Sequence, residues 1–416
     1  MSSGSSSGAA SDLALDPRTH ARAERWRSIR RDLHAHPELG YREERTSRVV
    51  ADLLEGYGLS VTRGVGGTGV VAQLDGRRGT VGPTIALRAD MDALPMQELN
   101  QFEHRSQNAG VFHGCGHDGH TTMLLAAAEC LAEDPDFDGR VVFVFQPAEE
   151  GLAGAKAMIE DGFFERFPCD EVYGLHNWPA EPFGTFVANP GVMMAASDLL
   201  EIEITGKGGH AAMPHTTIDP VWVAAQVIVA LQGLVSRGAD PGEGSVLSIT
   251  AVESGTTYNV IPESALLKGT CRSLSPARRD ALEAQIQRVA EGVSHAHGAR
   301  ADVRYRRNYP PTINAAEPAA WARAAAADVL GPQAVHSDRP PSMGGEDFAF
   351  FLEHRPGCYA WIGQGGESGA CAIHNPHYDF NDSLLPVGAS YWIRLVQRRL
   401  SEPADGPSSQ GASVAF

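Results

Sequence analysis

The strongest constraint on the fold is a change of texture after Pro190. Upstream, short β-rich runs at Gly69–Leu74, Thr84–Leu87, Val141–Phe145 and Val172–Leu175 are interleaved with helical periodicity. Two helices are expected over Thr19–Leu59, with Trp26, Ile29 and Leu33 and then Val49, Val50, Leu53 and Leu54 at helical spacing on either side of a His36–Gly40 turn. Gly119–Ala132 is a third helix, with Met123, Leu124, Ala127 and Leu131 on one face. Alternation of this kind implies an α/β sheet layered with helices. Downstream, Leu199–Thr205 sets Leu200, Ile202 and Ile204 against Glu201 and Glu203, the pattern of a half-exposed strand. An apolar helix at Pro220–Val235 follows, then strands at Val246–Val252 and Ala265–Cys271, a helix at Pro276–Ser294 and a strand at Ala301–Arg306. The order β-α-β-β-α-β is ferredoxin-like. Past Pro310-Pro311, a helix around Ala319–Leu330 and a strand at Cys358–Gly363 are expected to return to the first sheet. The smaller domain thus reads as an insertion. The expected division is a disordered segment over 1–17, a larger α/β domain over 18–192 and 309–400, an inserted domain over 193–308, and a flexible tail over 401–416.

Composition narrows the function classes. The 51 acidic against 34 basic residues leave a net charge of −17, which argues against nucleic acid as a partner. The apolar stretch Val221–Val235 is interrupted by Gln226 and Gln232 and is shorter than the roughly 18–20 residues that a membrane span needs. No membrane helix is expected. The Ser/Gly run Met1–Gly8 has neither the basic segment nor the apolar core of a signal peptide, so the expected location is the cytoplasm. Six scattered cysteines without a C-x-x-C pair read as reduced thiols.

The chemistry concentrates in short segments. His113-Gly114-Cys115-Gly116-His117-Asp118-Gly119-His120 places thiol, imidazole and carboxylate side by side, the donor mixture of a transition-metal site; its polar residues would otherwise only cap the next helix, with Asp118 as N-cap. Gln146-Pro147-Ala148-Glu149-Glu150-Gly151 leaves the end of an apolar strand, where open α/β sheets place active sites, and adjacent carboxylates there can divide metal binding from base catalysis. The bland alternative is a solvated acidic turn. His176 ends a strand and His374 lies in an Asn/His/Asp-rich loop. Cys115, His117, Glu150, His176 and His374 are too many donors for one tetrahedral zinc that keeps a water, so two metals are expected. Asp90 and Asp92, in Arg88–Pro95, are candidate ligands or partners that orient a ligating histidine. The remaining histidines, His34, His36 and His104 among them, have no committing spacing and are expected mostly on the surface or in loops.

The succession Asp90–Pro95, His113–His120, Gln146–Gly151, Leu175-His176-Asn177, Gly206–His215, Met343–Phe348 and His374–Asp382 resembles the M20 metallopeptidase family, and within it the amidohydrolases that act on hippurate, N-acyl amino acids and auxin conjugates. The resemblance runs from about Arg27 to Leu395. It implies a mixed-sheet α/β/α catalytic domain with an inserted ferredoxin-like α+β lid that also dimerises, and a dinuclear centre of Zn²⁺, Mn²⁺, Co²⁺ or Ni²⁺. Carried over by motif, Cys115, His117, Glu150, His176 and His374 resemble the ligands and Glu149 the general base, while His210 resembles a histidine that polarises the scissile carbonyl, often across a dimer. Asn259 and Arg272 resemble lid residues that bind the substrate's free carboxylate, a task suited to a guanidinium fork. Asp90-Met91-Asp92 departs from the His-x-Asp of the family's di-zinc peptidases, and Cys115 is expected to compensate.

The activity implied is hydrolysis of an N-acyl amino acid to a carboxylic acid and an amino acid, in a homodimer or homotetramer formed through the lid. A dipeptidase or carboxypeptidase of the same family is the nearest alternative. A hydrolase with Cys115 as thiol nucleophile, or a metal-binding protein without catalysis, are the other classes. The acyl group is not legible, because pocket-lining apolar residues look like core residues.

Overall fold

A computed structural model describes residues 13–79, 81–240, 242–365 and 371–401. The chain divides into two units, one of Met1–Gly191, Ile313–Arg339 and Phe350–Phe416, the other of Val192–Thr312 and Pro340–Ala349.

The first unit is built on an eight-stranded mixed sheet. Its strands run in the order Ser60–Val65, Gly69–Asp75, Arg140–Gln146, Thr84–Asp90, Glu171–Pro182, Gly357–Gly365, Phe186–Val187 and Val335–His336. The central strands are parallel, with Leu87 opposite Phe143 and Leu175 opposite Ala360. Parallel strands are covered on both faces, which is why Val141–Phe145 is an unbroken apolar run, buried throughout. On one face lies the helix His117–Glu133, buried nearly all round, against Ala23–Ala35 and Leu385–Ser401. Trp26, Phe112, Trp321 and Trp392 anchor that layer.

Sequence periodicity did not point to the antiparallel edge strand Ser60–Val65, whose Arg63 and Gly64 are exposed and whose alternation is weak. Of the lead expected to be disordered, residues 1–12 lie outside the described residues; the rest enters a helix, Pro17–Ala21, capped by the Asp16 carboxylate. The tail over 401–416 also lies outside them, apart from Ser401. His34 corrects the expectation of a surface or loop position: it is fully buried on the helix Ala23–Ala35.

The second unit carries a four-stranded antiparallel sheet in the order Ser245–Glu253, Ser264–Ser273, Ala196–Thr205, Arg300–Tyr309. With the helices Pro220–Ser236 and Pro276–Ala296 this is the ferredoxin-like β-α-β-β-α-β unit. Each helix starts on a capping side chain followed by proline, Asp219-Pro220 and Ser275-Pro276. Val223, Val227, Leu231, Leu282 and Ile286 pack with the sheet residues Leu200, Ile202, Ile204 and Leu267. All six cysteines are free, and no helix among the described residues is long and apolar enough to cross a membrane.

Candidate metal centre

Five segments of the first unit converge at the C-terminal ends of its parallel strands. Asp90 ends the strand Thr84–Asp90, Glu149 and Glu150 follow Arg140–Gln146, and His176 lies within Glu171–Pro182. Cys115 and His117 lie at the start of the helix His117–Glu133, and His374 lies in the segment before the final helices. Donor atoms of Cys115, His117 and His176 all lie within 4.8 Å of one another, as do those of Cys115, Glu150 and His374, and those of His117, Glu149 and Glu150. Cys115 Sγ is 3.5 Å from His176 Nε2, and His374 Nε2 is 3.3 Å from Glu150 Oε1. The donors are buried apart from Glu150, which is half-buried, and His374, whose side chain is 50% exposed.

The backbone reaches this arrangement through unusual conformations. Ala148 (φ 55°), Ala153 (φ 59°) and His374 (φ 63°) are left-handed non-glycine residues flanking the donors, and strain of this kind persists only where surrounding structure enforces it. Gly116 (φ 97°), not Asp118, caps the helix. A Cβ at Gly116 would lie 2.3 Å from Asn177 Oδ1 and 2.6 Å from the Tyr378 hydroxyl, so only glycine lets the loop approach this closely.

A surrounding shell orients the donors. His117 Nδ1 donates to the Asp92 carbonyl at 2.9 Å and faces its carboxylate at 3.2 Å, while the other Asp92 oxygen accepts the Glu150 amide at 3.0 Å. One aspartate therefore fixes two donor segments. Asp90 accepts from Arg88 at 2.8 Å and contacts His120 Nδ1 at 2.7 Å, which places it against His120 more closely than against His117, whose Nε2 is 3.7 Å away. His176 Nδ1 donates to the Asn177 carbonyl at 2.6 Å, turning Nε2 toward Cys115. Sequence reasoning missed His120, which bridges Asp90 and Asn177; its spacing of one helical turn from His117 was the available signal.

Two observations fit a cation. Among the described residues neither His117 Nε2 nor Glu150 Oε1, both buried, makes a hydrogen bond, although His374 Nε2 approaches Glu150 Oε1 at 3.3 Å; this is a costly state unless something else satisfies them. Thiol, imidazole and carboxylate together are also the donors that divalent transition metals take. The electrostatics agree. Burial disfavours a charged His117, but Asp90, Asp92 and Glu150 outweigh it and raise its pKa to about 10. Burial, then His120, keeps His176 well below its ordinary value and hence neutral. A cation held by both rings would therefore displace a proton from His117 and none from His176. Zn²⁺ or Mn²⁺ titration of stripped protein is expected to release protons, with apparent affinity rising at least about tenfold per pH unit from pH 7 toward 10. A pH-independent affinity would contradict this field.

The second unit holds the other candidates. His210 and Val260 are paired across two short antiparallel strands, and the Ala211 amide donates to the Asn259 carbonyl at 3.1 Å, so His210 and Asn259 lie together. His210 is exposed; its Nδ1 accepts the Ala212 amide at 3.1 Å, which leaves Nε2–H as the outward donor. Arg272 is half-buried on Ser264–Ser273, where its guanidinium bonds the Thr270 hydroxyl and the Cys271 carbonyl but has no ion-pair partner among the described residues. Burial lowers its pKa.

Comparison with known proteins matches residues 86–398 to the model of peptidase family M20/M25/M40. Hippurate hydrolase of Campylobacter jejuni is 41% identical over 372 residues, covering 89% of this chain and 96% of its own. N-acetylcysteine deacetylase of Bacillus subtilis is 39% identical over 371 residues, covering 89% and 95%. Among solved structures, the Bacillus subtilis YXEP protein, described as a dinuclear metal-binding peptidase of family M20, superposes with a TM-score of 0.80 at 36% identity, covering 92% of this chain and 99% of its own.

Proposed function

The chain belongs to peptidase family M20/M25/M40, and from that premise we propose that it is a metal-dependent amidohydrolase that cleaves N-acyl amino acids to a carboxylic acid and a free amino acid. The observation that carries this is the grouping of Cys115, His117, Glu150, His176 and His374 beside a buried glutamate, Glu149, at the strand ends. In our reading the first five hold two divalent ions, Zn²⁺, Mn²⁺, Co²⁺ or Ni²⁺, and Asp90 and Asp92 orient them. Such ions supply a lowered water pKa and a polarised carbonyl. Glu149 takes the proton of the attacking water and returns it to the leaving amine. His210 donates its Nε2–H to the carbonyl oxygen as charge develops there, from its own subunit or a neighbouring one. Asn259 and Arg272 bind the free carboxylate of the amino acid, Arg272 through its fork.

Supporting Arg272 is its partly desolvated guanidinium, which among the described residues feels Asp198 but forms no ion pair, an arrangement that a substrate carboxylate completes. Arg272→Ala is expected to raise KM for N-acyl amino acids roughly 10- to 150-fold, the worth of one charge-assisted hydrogen-bond pair, with a smaller effect on the matching amino-acid amides. An unchanged preference for the free acids over the amides would remove Arg272 from this role.

We also place the protein in the cytoplasm, where its six free cysteines suit a reducing compartment. Association through the second unit, as homodimer or homotetramer, is supported by its exposed Trp222 and Val229 on the helix Pro220–Ser236, at 51% and 72% exposure. The 3.5 Å approach of Cys115 to His176 also fits a thiol nucleophile, a second reading that metal removal separates from the first.

A further inference from the structure

Arg30 lies outside every motif that carries the donors, on the helix Ala23–Ala35, and its side chain is fully buried. Its guanidinium meets three carboxylates. Nε lies 2.9 Å from Asp118 Oδ2, Nη2 bonds Asp379 Oδ1, and Nη1 lies 3.3 Å from Asp382 Oδ1. Asp118 directly follows His117, while Asp379 belongs to the segment that follows His374.

That second segment is held at several points, Asp379 by the His104 ring at 3.2 Å as well as by Arg30. His374 is half exposed and left-handed, so its imidazole has little packing of its own. The backbone is tethered instead: the His374 amide donates to the Gly114 carbonyl at 2.7 Å, Asn100 Nδ2 to the Tyr378 carbonyl at 2.8 Å, and Gln364 Nε2 to the Asp379 carbonyl at 2.8 Å.

We propose that Arg30 is a positioning residue that sets the His374 donor against the His117 donor, by holding Asp379 and Asp118 on two sides of one planar fork. The inference rests on the reading of these histidines as metal donors. A guanidinium suits the task because its donors are fixed in one plane, whereas a lysine ammonium is a single point on a flexible stem. Burial opposes a charge here, but Asp118, Asp379 and Asp382 outweigh it and hold Arg30 charged.

The test uses full-length wild type, Arg30→Lys and Asp379→Asn. Zn²⁺ affinity and stoichiometry would be measured against a competing chelator, with circular dichroism confirming that each protein is folded at the assay temperature. Asp379 is 34% exposed, so its amide leaves no fully buried charge unpaired and retains the Arg30–Asp118 pair. Wild type is expected to hold two ions tightly. Asp379→Asn should keep one and bind the other about 10- to 100-fold more weakly, and Arg30→Lys should weaken both by a similar factor, the usual effect of disturbing partners that orient ligands. Should Arg30→Lys fail to fold, Asp379→Asn carries the test. Folded variants that melt earlier yet bind both ions with native affinity would overturn the inference, because a purely structural role moves stability alone. A wild type that holds no metal would overturn the donor reading as well, whereas two tight ions in every variant overturn only the role of Arg30.

Discussion

Glu149→Gln is expected to lower kcat by about 10²- to 10⁴-fold, the range for loss of a general base, while the protein still holds its metal ions. The substitution keeps the shape of the side chain and removes only its capacity to take a proton. Glu149 is buried at 7% exposure, directly after the left-handed Ala148, and its neighbour Glu150 points an oxygen toward His374. The two carboxylates both come within 4.8 Å of a His117 nitrogen, Glu149 being the more buried. Metal content measured on the same preparation separates the two roles: two ions with little turnover is the expected result, and near-normal turnover would remove Glu149 as the base.

Asp118→Ala is expected to destabilise the metal-free protein by about 3–5 kcal/mol, the cost of breaking a buried ion pair by removing one partner. Asp118 is fully buried; its Oδ2 accepts from His34 at 2.8 Å and faces Arg30 at 2.9 Å, and its Oδ1 accepts the Gly119 amide at 3.0 Å. Burial favours the neutral acid, but Arg30 and then His34 outweigh it and hold the carboxyl far below its ordinary value of 3.8. A depressed folded-state pKa gives stability that is present above the unfolded value and lost only as pH falls through the folded one. The gap between wild type and variant should thus persist from about pH 8 down to pH 5, widening as His34, whose pKa Asp118 helps to raise, takes up its proton, and close only in strong acid. Urea denaturation of stripped protein measures it, and a gap under about 1 kcal/mol would contradict the buried pair.

The side chains that the structure gathers at the strand ends were legible because each is carried in a short motif. His117 and Cys115 are two residues apart, and Glu149 and Glu150 are adjacent at the end of an apolar strand, so chemistry and local structure coincide in sequence. The ferredoxin-like unit was legible because its strands alternate at period two, as in Leu200, Ile202 and Ile204, and its helices open on capping residues. What was hidden depends on distant pairs. Arg30 and Asp379 are separated by 349 positions, and nothing in either segment points to the other. His34 looked like any helix histidine until Asp118 and Glu98 were found on its two ring nitrogens. Likewise hidden was the stacking of Trp178 on Trp361, with ring centroids 4.3 Å apart and Trp178 6.0 Å from the His176 ring. Strand pairing brings those indoles together, since Trp361 lies opposite His176 in the parallel ladder.

The most direct measurement is amino-acid release from hippurate and a panel of N-acetyl amino acids, by protein stripped with chelator and then supplied with Zn²⁺, Mn²⁺, Co²⁺ or Ni²⁺. A metal-dependent amidohydrolase loses turnover on stripping and regains it with at least one of these ions. Turnover that survives stripping but is abolished by thiol alkylation would contradict it in favour of Cys115 as nucleophile, and tight metal binding without cleavage of any member of the panel would contradict the proposed substrate.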